Sequence, residues 1–238
     1  MVMRLPVRFS ASLALVAALA LTVGFRSQAQ TTASPTAGNG TYIATDPLAN
    51  VRYDNRFDVS LGAAYQHMKA GPNVLEGANL GGLDFSASYW FSKHWALENS
   101  ERAFFGTSGV GAVNTTNNFV KGPFVSEYFF TAGPEWLGPH NKHGALIAHM
   151  LVGGAYGKFQ QDLRTATPED VGFYNDQLAP VFIIGGHMDL NRSARWVFRI
   201  TPDAVLTRYG INYGTKITQN DVNFALSVGV QYKFHRKR

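Results

Sequence analysis

The sequence predicts an all-β chain whose eight long strands close into an antiparallel, up-and-down transmembrane barrel with a polar, filled interior. Three observations carry this expectation. From Arg56 onward, apolar residues recur at every second position, which is the period of a strand with two unlike faces and not of a helix. Eight such segments can be placed, at 56–68, 81–92, 95–106, 122–137, 144–158, 179–190, 195–209 and 222–234. Each has about 12 residues or more, against the ~5–6 usual for strands of soluble proteins. At about 3.3 Å per residue and ~45° tilt, such a strand rises roughly 28 Å, the depth of a hydrocarbon core. The links also alternate in length, with short turns at 92–94, 138–143 and 191–194 and longer loops at 69–80, 107–121, 159–178 and 210–221. An even set of strands joined this way has one short-turn end and one long-loop end, the asymmetry of bacterial outer-membrane barrels, whose short turns are periplasmic.

Taken in order, the first segment alternates Phe57, Val59, Leu61, Ala63 and Tyr65 with Asp58, Ser60, Gly62, Ala64 and Gln66. The second alternates Leu83, Phe85, Ala87, Tyr89 and Phe91 with Asp84, Ser86, Ser88, Trp90 and Ser92. The third fits poorly. With Trp95 and Leu97 outward, Asn99 and Glu101 also face lipid, and the opposite phase exposes Glu98 and Arg102. A β-bulge that shifts the phase is one remedy. The fourth to seventh segments carry Glu127, His149, the pair His187 and Asp189, and the pair Arg199 and Asp203 on the face taken as inward. The eighth is the clearest. Val222, Phe224, Leu226, Val228, Val230, Tyr232 and Phe234 alternate with Asn223, Ala225, Ser227, Gly229, Gln231 and Lys233. Seven apolar residues on one face are more than a solvated wall tolerates.

Aromatic residues point the same way. Phe91, Trp95, Trp136, Trp196, Tyr232 and Phe234 lie beside short turns or at the chain end. On a barrel they form one ring at the periplasmic interface, where amphipathic rings prefer to sit. Tyr65, Phe105, Phe124, Tyr156 and Tyr209 are expected to form a looser second ring at the long-loop end.

Ahead of the strands, residues 1–29 read as a secretory signal peptide. Arg4 and Arg8 precede an apolar run from Ala11 to Val23, and Ser27-Gln28-Ala29 offers small residues for cleavage. The run is about 13 residues, short of the ~20 that a membrane-spanning helix needs, and no second run reaches ~18. Residues 30–55 read as a flexible lead-in, 56–234 as the barrel and 235–238 as a basic tail. The formal net charge of +5 is then misleading. Without Arg4, Arg8 and Arg26 there are 18 basic residues against 16 acidic, and without the tail 15 against 16. A nucleic-acid binder needs a basic face across its fold, so nucleic acid is excluded as a partner. At 16% charged residues the chain carries too little charge for intrinsic disorder, and without Cys it lacks the means for a disulfide framework, a thiolate zinc site or a Cys nucleophile.

The stretch Gly185-Gly-His-Met-Asp-Leu-Asn-Arg-Ser-Ala-Arg-Trp196, running on through Arg199 and Asp203 to Leu206-Thr-Arg-Tyr209, resembles the sixth and seventh strands of the small OmpA-like and opacity-type outer-membrane barrels. Ala132-Gly-Pro-Glu-Trp136 and Leu151-Val-Gly-Gly-Ala155 look like the fourth and fifth strands of that family. The resemblance covers about residues 56–234 and implies location in the outer membrane, with lipid and the outer-membrane assembly machinery as partners. The last strand also resembles the family's assembly signal, carried here by Ser227, Gly229, Tyr232 and Phe234, although His235-Arg-Lys-Arg238 follows where the family usually ends.

An eight-stranded barrel has room for side chains but not for a wide channel. Its inward set should be a mutually paired polar core, because buried charges need partners. The expected members are Asp58, Asp84, Glu98, Arg102, Glu127, His149, His187, Asp189, Arg199 and Asp203. Glu98 shares a strand face with Arg102, and Arg199 shares one with Asp203. His149 and His187 take the inward phase on neighbouring strands, and paired histidines can bind a metal or sense pH. No third ligand is evident, so neither a metal nor a cofactor is expected.

The function expected is that of a structural or surface-interaction barrel whose long loops are extracellular and meet an unidentified ligand. A narrow ion or small-solute channel is the alternative. A lipid-modifying enzyme is a lesser one, since it needs a Ser with a His and a carboxylate near the outer leaflet. The mature chain has no His-x-Ser pair and no Gly-x-Ser-x-Gly, and Ser126 and Glu127 have no His close by in sequence. No catalytic site is expected. A soluble lipocalin-type barrel would place its apolar face inside, the reverse of the phase assigned to the last strand.

Overall fold

The computed structural model describes residues 46–72, 74, 77–109, 113–115, 118–164, 166–212 and 215–234. The expected signal peptide, the first part of the lead-in and the basic tail lie outside the described residues. Among the described residues the strands are β1 (Phe57–Met68), β2 (Ala78–Trp90), β3 (Trp95–Thr107), β4 (Val113–Thr115), β5 (Asn118–Val120), β6 (Phe124–His140), β7 (Gly144–Lys158), β8 (Gln177–Asn191), β9 (Trp196–Asn212) and β10 (Lys216–Phe234), with one short helix, α1 (Pro168–Val171), before β8. Eight of the strands form one closed barrel in the order β1-β10-β9-β8-β7-β6-β3-β2. Each neighbour pairing is antiparallel, and β1 meets β10 from Phe57↔Phe234 to His67↔Phe224, which closes the wall. Closure leaves the wall with no unpaired edge, the condition a sheet must meet to sit in lipid.

The alternation in the sequence is realised as alternation in exposure. On β10, Val222, Phe224, Val228 and Val230 point outward while Asn223, Ala225, Ser227 and Gln231 are buried. Leu61, Phe85, Phe130, Met150, Leu178 and Ile184 continue the apolar outer surface around the wall. A barrel that is greasy outside and carries ionised groups inside is built for lipid. The short-turn end carries aromatic pairs in register, Trp95↔Trp136 and Trp196↔Tyr232. Tyr232 continues to Phe234 at a centroid distance of 4.8 Å, and Phe57 meets Tyr89 at 4.9 Å. These rings span six adjacent strands from β9 through β10, β1, β2 and β3 to β6. At the same level β7 and β8 carry Leu146 and Leu190.

The third strand keeps its phase. Pairing of β3 runs unbroken on both sides, from Asn79↔Thr107 to Trp90↔Ala96 and from Trp95↔Trp136 to Thr107↔Phe124. Asn99 and Glu101 therefore face outward, and Glu101 lies between its partners Phe85 and Phe130. The register shift that does occur is on β6, between Leu137 and His140, at the short-turn end.

Two expectations are corrected, the fourth loop and Tyr209, and two regions gain detail. The fourth long loop, placed at 210–221, is largely strand, because β9 runs to Asn212 and β10 starts at Lys216. The two pair continuously from Lys216↔Asn212 inward. Beyond the lipid both faces of a strand meet water, so Thr218, Gln219 and Asn220 carry no apolar period. The loop at 107–121 holds the β4–β5 hairpin. Within the lead-in a turn begins at Asp46, and Lys142 Nζ meets Asp46 Oδ2 at 3.0 Å. Tyr209 is not part of an outer ring, because it is fully buried on the inward face of β9.

Candidate functional site

The lumen has two unlike halves. Toward the long loops it is filled by a hydrophobic cluster that includes Met68, Leu80, Phe104, Val125, Phe129, Leu151, Ile183 and Val205 from the strands. Loop residues fold down onto it. Val74 comes from the β1–β2 loop, and Phe159, Leu163, Phe173 and Tyr174 come from the segment between β7 and β8. Phe159 stacks edge-on against Tyr174 and Tyr209 at 5.6 and 5.1 Å. The carboxylates of that segment hold it closed. Asp176 accepts from the backbone N–H of Phe159 and Gln160 at 2.6 and 2.9 Å, and Asp162 accepts from Phe124 at 3.1 Å. Thr167 and Asp170 form a reciprocal capping box on α1, whose C-cap is Gly172 at φ 74°, a left-handed conformation suited to glycine. Tyr174 donates its hydroxyl to Asp221 on β10, and burial, reinforced by that carboxylate, pushes the phenol well above its ordinary range.

Toward the short turns the lumen is polar, and all ten residues of the expected inward set are buried. They are not brought together as one network but as four groups. Asp58, nearest the short turns, accepts from Trp90 Nε1 at 2.6 Å and from Asn55 Nδ2 at 2.9 Å. Asp189 and Arg199, register partners on β8 and β9, form a two-pronged pair at 2.8 and 3.0 Å. Glu127 lies apart on the long-loop side and accepts from Gln66 Nε2 at 2.9 Å. The remaining six make the central cluster.

In that cluster Arg102 Nη1 lies 2.6 Å from Asp203 Oδ2, and Arg102 Nε lies 3.4 Å from Asp84 Oδ2. Asp203 Oδ1 faces His149 Nε2 at 2.8 Å. The other nitrogen of that ring, Nδ1, is 2.7 Å from Glu98 Oε2 and 3.2 Å from His187 Nε2. His187 Nε2 is 3.3 Å from the same Glu98 oxygen, while its Nδ1 meets Thr201 Oγ1 at 2.8 Å. The two imidazoles cross almost at right angles. Space for this comes from Gly185, which pairs with both His149 and Asp203. A Cβ there would come within 2.0 Å of Asp203 Oδ1.

Sequence reasoning omitted several members. Glu135 is buried on β6 in register with His149, and it has the same parity as Glu127, so the period of two alone would have found it. Thr201 and Lys233 share the inward parity of their strands in the same way. Lys233 Nζ reaches Asn191 Oδ1 at 3.2 Å and sits 4.2 Å over the Tyr53 ring. Tyr53 also donates to the Asn141 carbonyl at 3.0 Å and accepts from Asn191 Nδ2 at 2.8 Å. These contacts bring the end of the lead-in against the short-turn end of the barrel. Nothing in the sequence of Tyr53 signals that role.

Among the described residues the barrel buries eight carboxyl side chains, those of Asp58, Asp84, Glu98, Glu127, Glu135, Asp189, Asp203 and Asp221. Against them stand three buried basic side chains, Arg102, Arg199 and Lys233. Buried charge must be compensated, so such an interior has to take up positive charge as protons or as a bound cation.

No protein-family model matches the chain, and no curated protein matches it. Among solved structures, it is similar to the outer membrane protein OprG of Pseudomonas aeruginosa, at 13% identity over 79% of this chain and 99% of that one, with a TM-score of 0.50. Ail, the attachment invasion locus protein of Yersinia pestis, is similar at 17% identity over 76% and 99%, with a TM-score of 0.45. Neisserial surface protein A is similar at 13% identity over 75% and 97%, with a TM-score of 0.47. The likeness is one of fold. It meets the resemblance seen in the sequence, and the chain is an eight-stranded β-barrel of the outer-membrane type.

Proposed function

We propose that this barrel is a structural or surface-interaction protein of the bacterial outer membrane, with its long loops outside the cell, and not a conduit or a catalyst. The observation that supports this most directly is the double filling of the lumen. An apolar plug of Phe104, Phe129, Phe159, Phe173 and Tyr174 occupies the long-loop half, and paired charged side chains occupy the other. An ion passing through would have to displace a packed aromatic layer whose buried polar groups, Glu127 with Gln66 and Asp221 with Tyr174, are already engaged with one another. What reaches the outside is a platform built on the β4–β5 hairpin and on the segment between β7 and β8, whose Asp170 and Asp176 accept from its own backbone and whose Asp162 accepts from Phe124. A partner would meet that outer surface, lipid would cover the wall, and Ser227, Gly229, Tyr232 and Phe234 on the last strand would present the assembly signal to the insertion machinery.

The experiment has two arms. Purified protein in planar bilayers should give no stable conductance, and a reproducible unitary conductance would favour the channel instead. On intact cells, added protease should cut within 108–123 or 159–176 and leave a protected barrel. Protection of both segments, with cleavage only after the outer membrane is opened, would reverse the assigned orientation.

A further inference from the structure

We propose that Glu98, His149 and His187 form a binding site for one transition-metal ion of the zinc type inside the barrel. Three donor atoms converge there from three strands: Glu98 Oε2 from β3, His149 Nδ1 from β7 and His187 Nε2 from β8. Their mutual separations are 2.7, 3.2 and 3.3 Å. A tetrahedral ion bound at about 2.0–2.1 Å holds its ligands about 3.3 Å apart, so the triangle needs only slight widening to accept one. Among the described residues this is the group of His, Asp and Glu side chains whose ligand atoms all lie within 4.8 Å of one another.

The surroundings orient the donors as a metal requires. A ligating histidine needs its other ring nitrogen held by a hydrogen-bond acceptor, which fixes the tautomer and strengthens the donor. His149 Nε2 has Asp203, itself clamped by Arg102, and His187 Nδ1 has the Thr201 hydroxyl. With the ring protons on those outer nitrogens, the two inner imidazole nitrogens keep their lone pairs, and they lie 2.7 and 3.3 Å from one carboxylate oxygen and 3.2 Å from each other. A single proton can bridge two of these atoms but not all three, whereas a divalent ion satisfies them together. Charge argues the same way. The linked cluster holds three carboxylates, Asp84 and Asp203 on Arg102 and Glu98 on the histidines, against one guanidinium, and a 2+ ion restores neutrality among them. The donor set of two nitrogens and one oxygen favours zinc, cobalt or copper over calcium and magnesium, which prefer all-oxygen sites. A water would fill the fourth position. The ion would tie β3 to β7 and β8 across the lumen, acting as a staple within the wall. Sealed by the aromatic plug on one side, it would be taken up as the barrel folds.

The test uses the whole mature chain, unfolded and stripped of metal, then refolded in detergent with or without zinc chloride or cobalt chloride. Elemental analysis of the folded, heat-modifiable fraction should give one equivalent of zinc, and the cobalt form should show the visible absorption of a tetrahedral centre. Asp203→Asn should weaken zinc binding by about 10–100-fold, and the double variant H149Q/H187Q should abolish it. In crystals of the zinc-refolded protein, anomalous scattering should place one peak between Glu98, His149 and His187, a readout that needs no variant to fold. Folded wild-type protein without stoichiometric metal, an anomalous peak elsewhere, or full metal content in the double variant would each overturn the site and leave a proton-bridged cluster.

Discussion

The two halves of the lumen are walled by the same eight strands, yet one is filled mainly by apolar rings and the other mainly by charged pairs. On the long-loop side, Phe104 and Phe129 meet edge-on at 5.5 Å within a cluster that the loops complete. On the short-turn side, Arg199 is held by Asp189 at 2.8 Å, and Arg102 by Asp203 at 2.6 Å. Side chains of the first kind tolerate any neighbour of suitable shape. Those of the second need a particular partner at a particular height. The apolar half can therefore recruit loop residues that the barrel pattern does not contain, whereas the centre of the polar half is completed by strand positions whose register is already set, and only its short-turn rim takes Tyr53 and Asn55 from outside the strands.

The largest effect should come from breaking a pair in the polar half. Arg199→Ala leaves Asp189 buried without its partner and should cost about 3–5 kcal/mol, whereas the double change D189L/R199M should cost far less or even stabilise. Urea unfolding in detergent, followed by tryptophan fluorescence and heat-modified gel migration, would measure both. Equal losses in the single and double variants would show that the pair is not what holds this half. In the apolar half, Phe129→Ala should cost a comparable ~3–5 kcal/mol, but no second substitution should rescue it, since a cavity has no partner to remove. Next in size, Tyr174→Phe should lose the hydrogen bond to Asp221, worth about 1.5–3 kcal/mol for a bond to a charged group. Faster proteolysis between 159 and 176, with the strands unaffected, would report it. The smallest change should be on the outer wall. Glu101→Leu, between Phe85 and Phe130, should stabilise the barrel by about 1–2 kcal/mol, because a carboxylate facing lipid is disfavoured in a depth-dependent way. Destabilisation by that substitution would mean that Glu101 meets something other than lipid.

How far the sequence could be read varied along the chain. Each of the eight long strands was legible because lipid on one side and packed side chains on the other impose opposite demands on alternate residues. Where that contrast fades, so did the reading. The outer ends of β9 and β10 extend into water, and their polar stretch read as a loop. Tyr209 lies near a strand end, as the outer aromatics do, but its parity is inward, and phase decides where it points. Glu135 was overlooked although its parity alone points it inward. The plug was not legible at all, because Phe159, Leu163 and Phe173 come from a segment with no period and gain their environment only when it folds back over the mouth.

From the residues alone, then, it followed which side chains face inward, since that depends on a local period of two and on a chemistry repeated over twelve residues or more. Which of them touch did not. Glu98 and Arg102 share a face of β3, but four residues along a strand is about 13 Å, so neither reaches the other. Arg102 finds Asp84 on β2 and Asp203 on β9, and Glu98 finds two histidines from β7 and β8. Those meetings depend on how the tilted strands stagger as the wall closes, and only the closed barrel brings residues far apart in the chain to the same height across a lumen a few side chains wide.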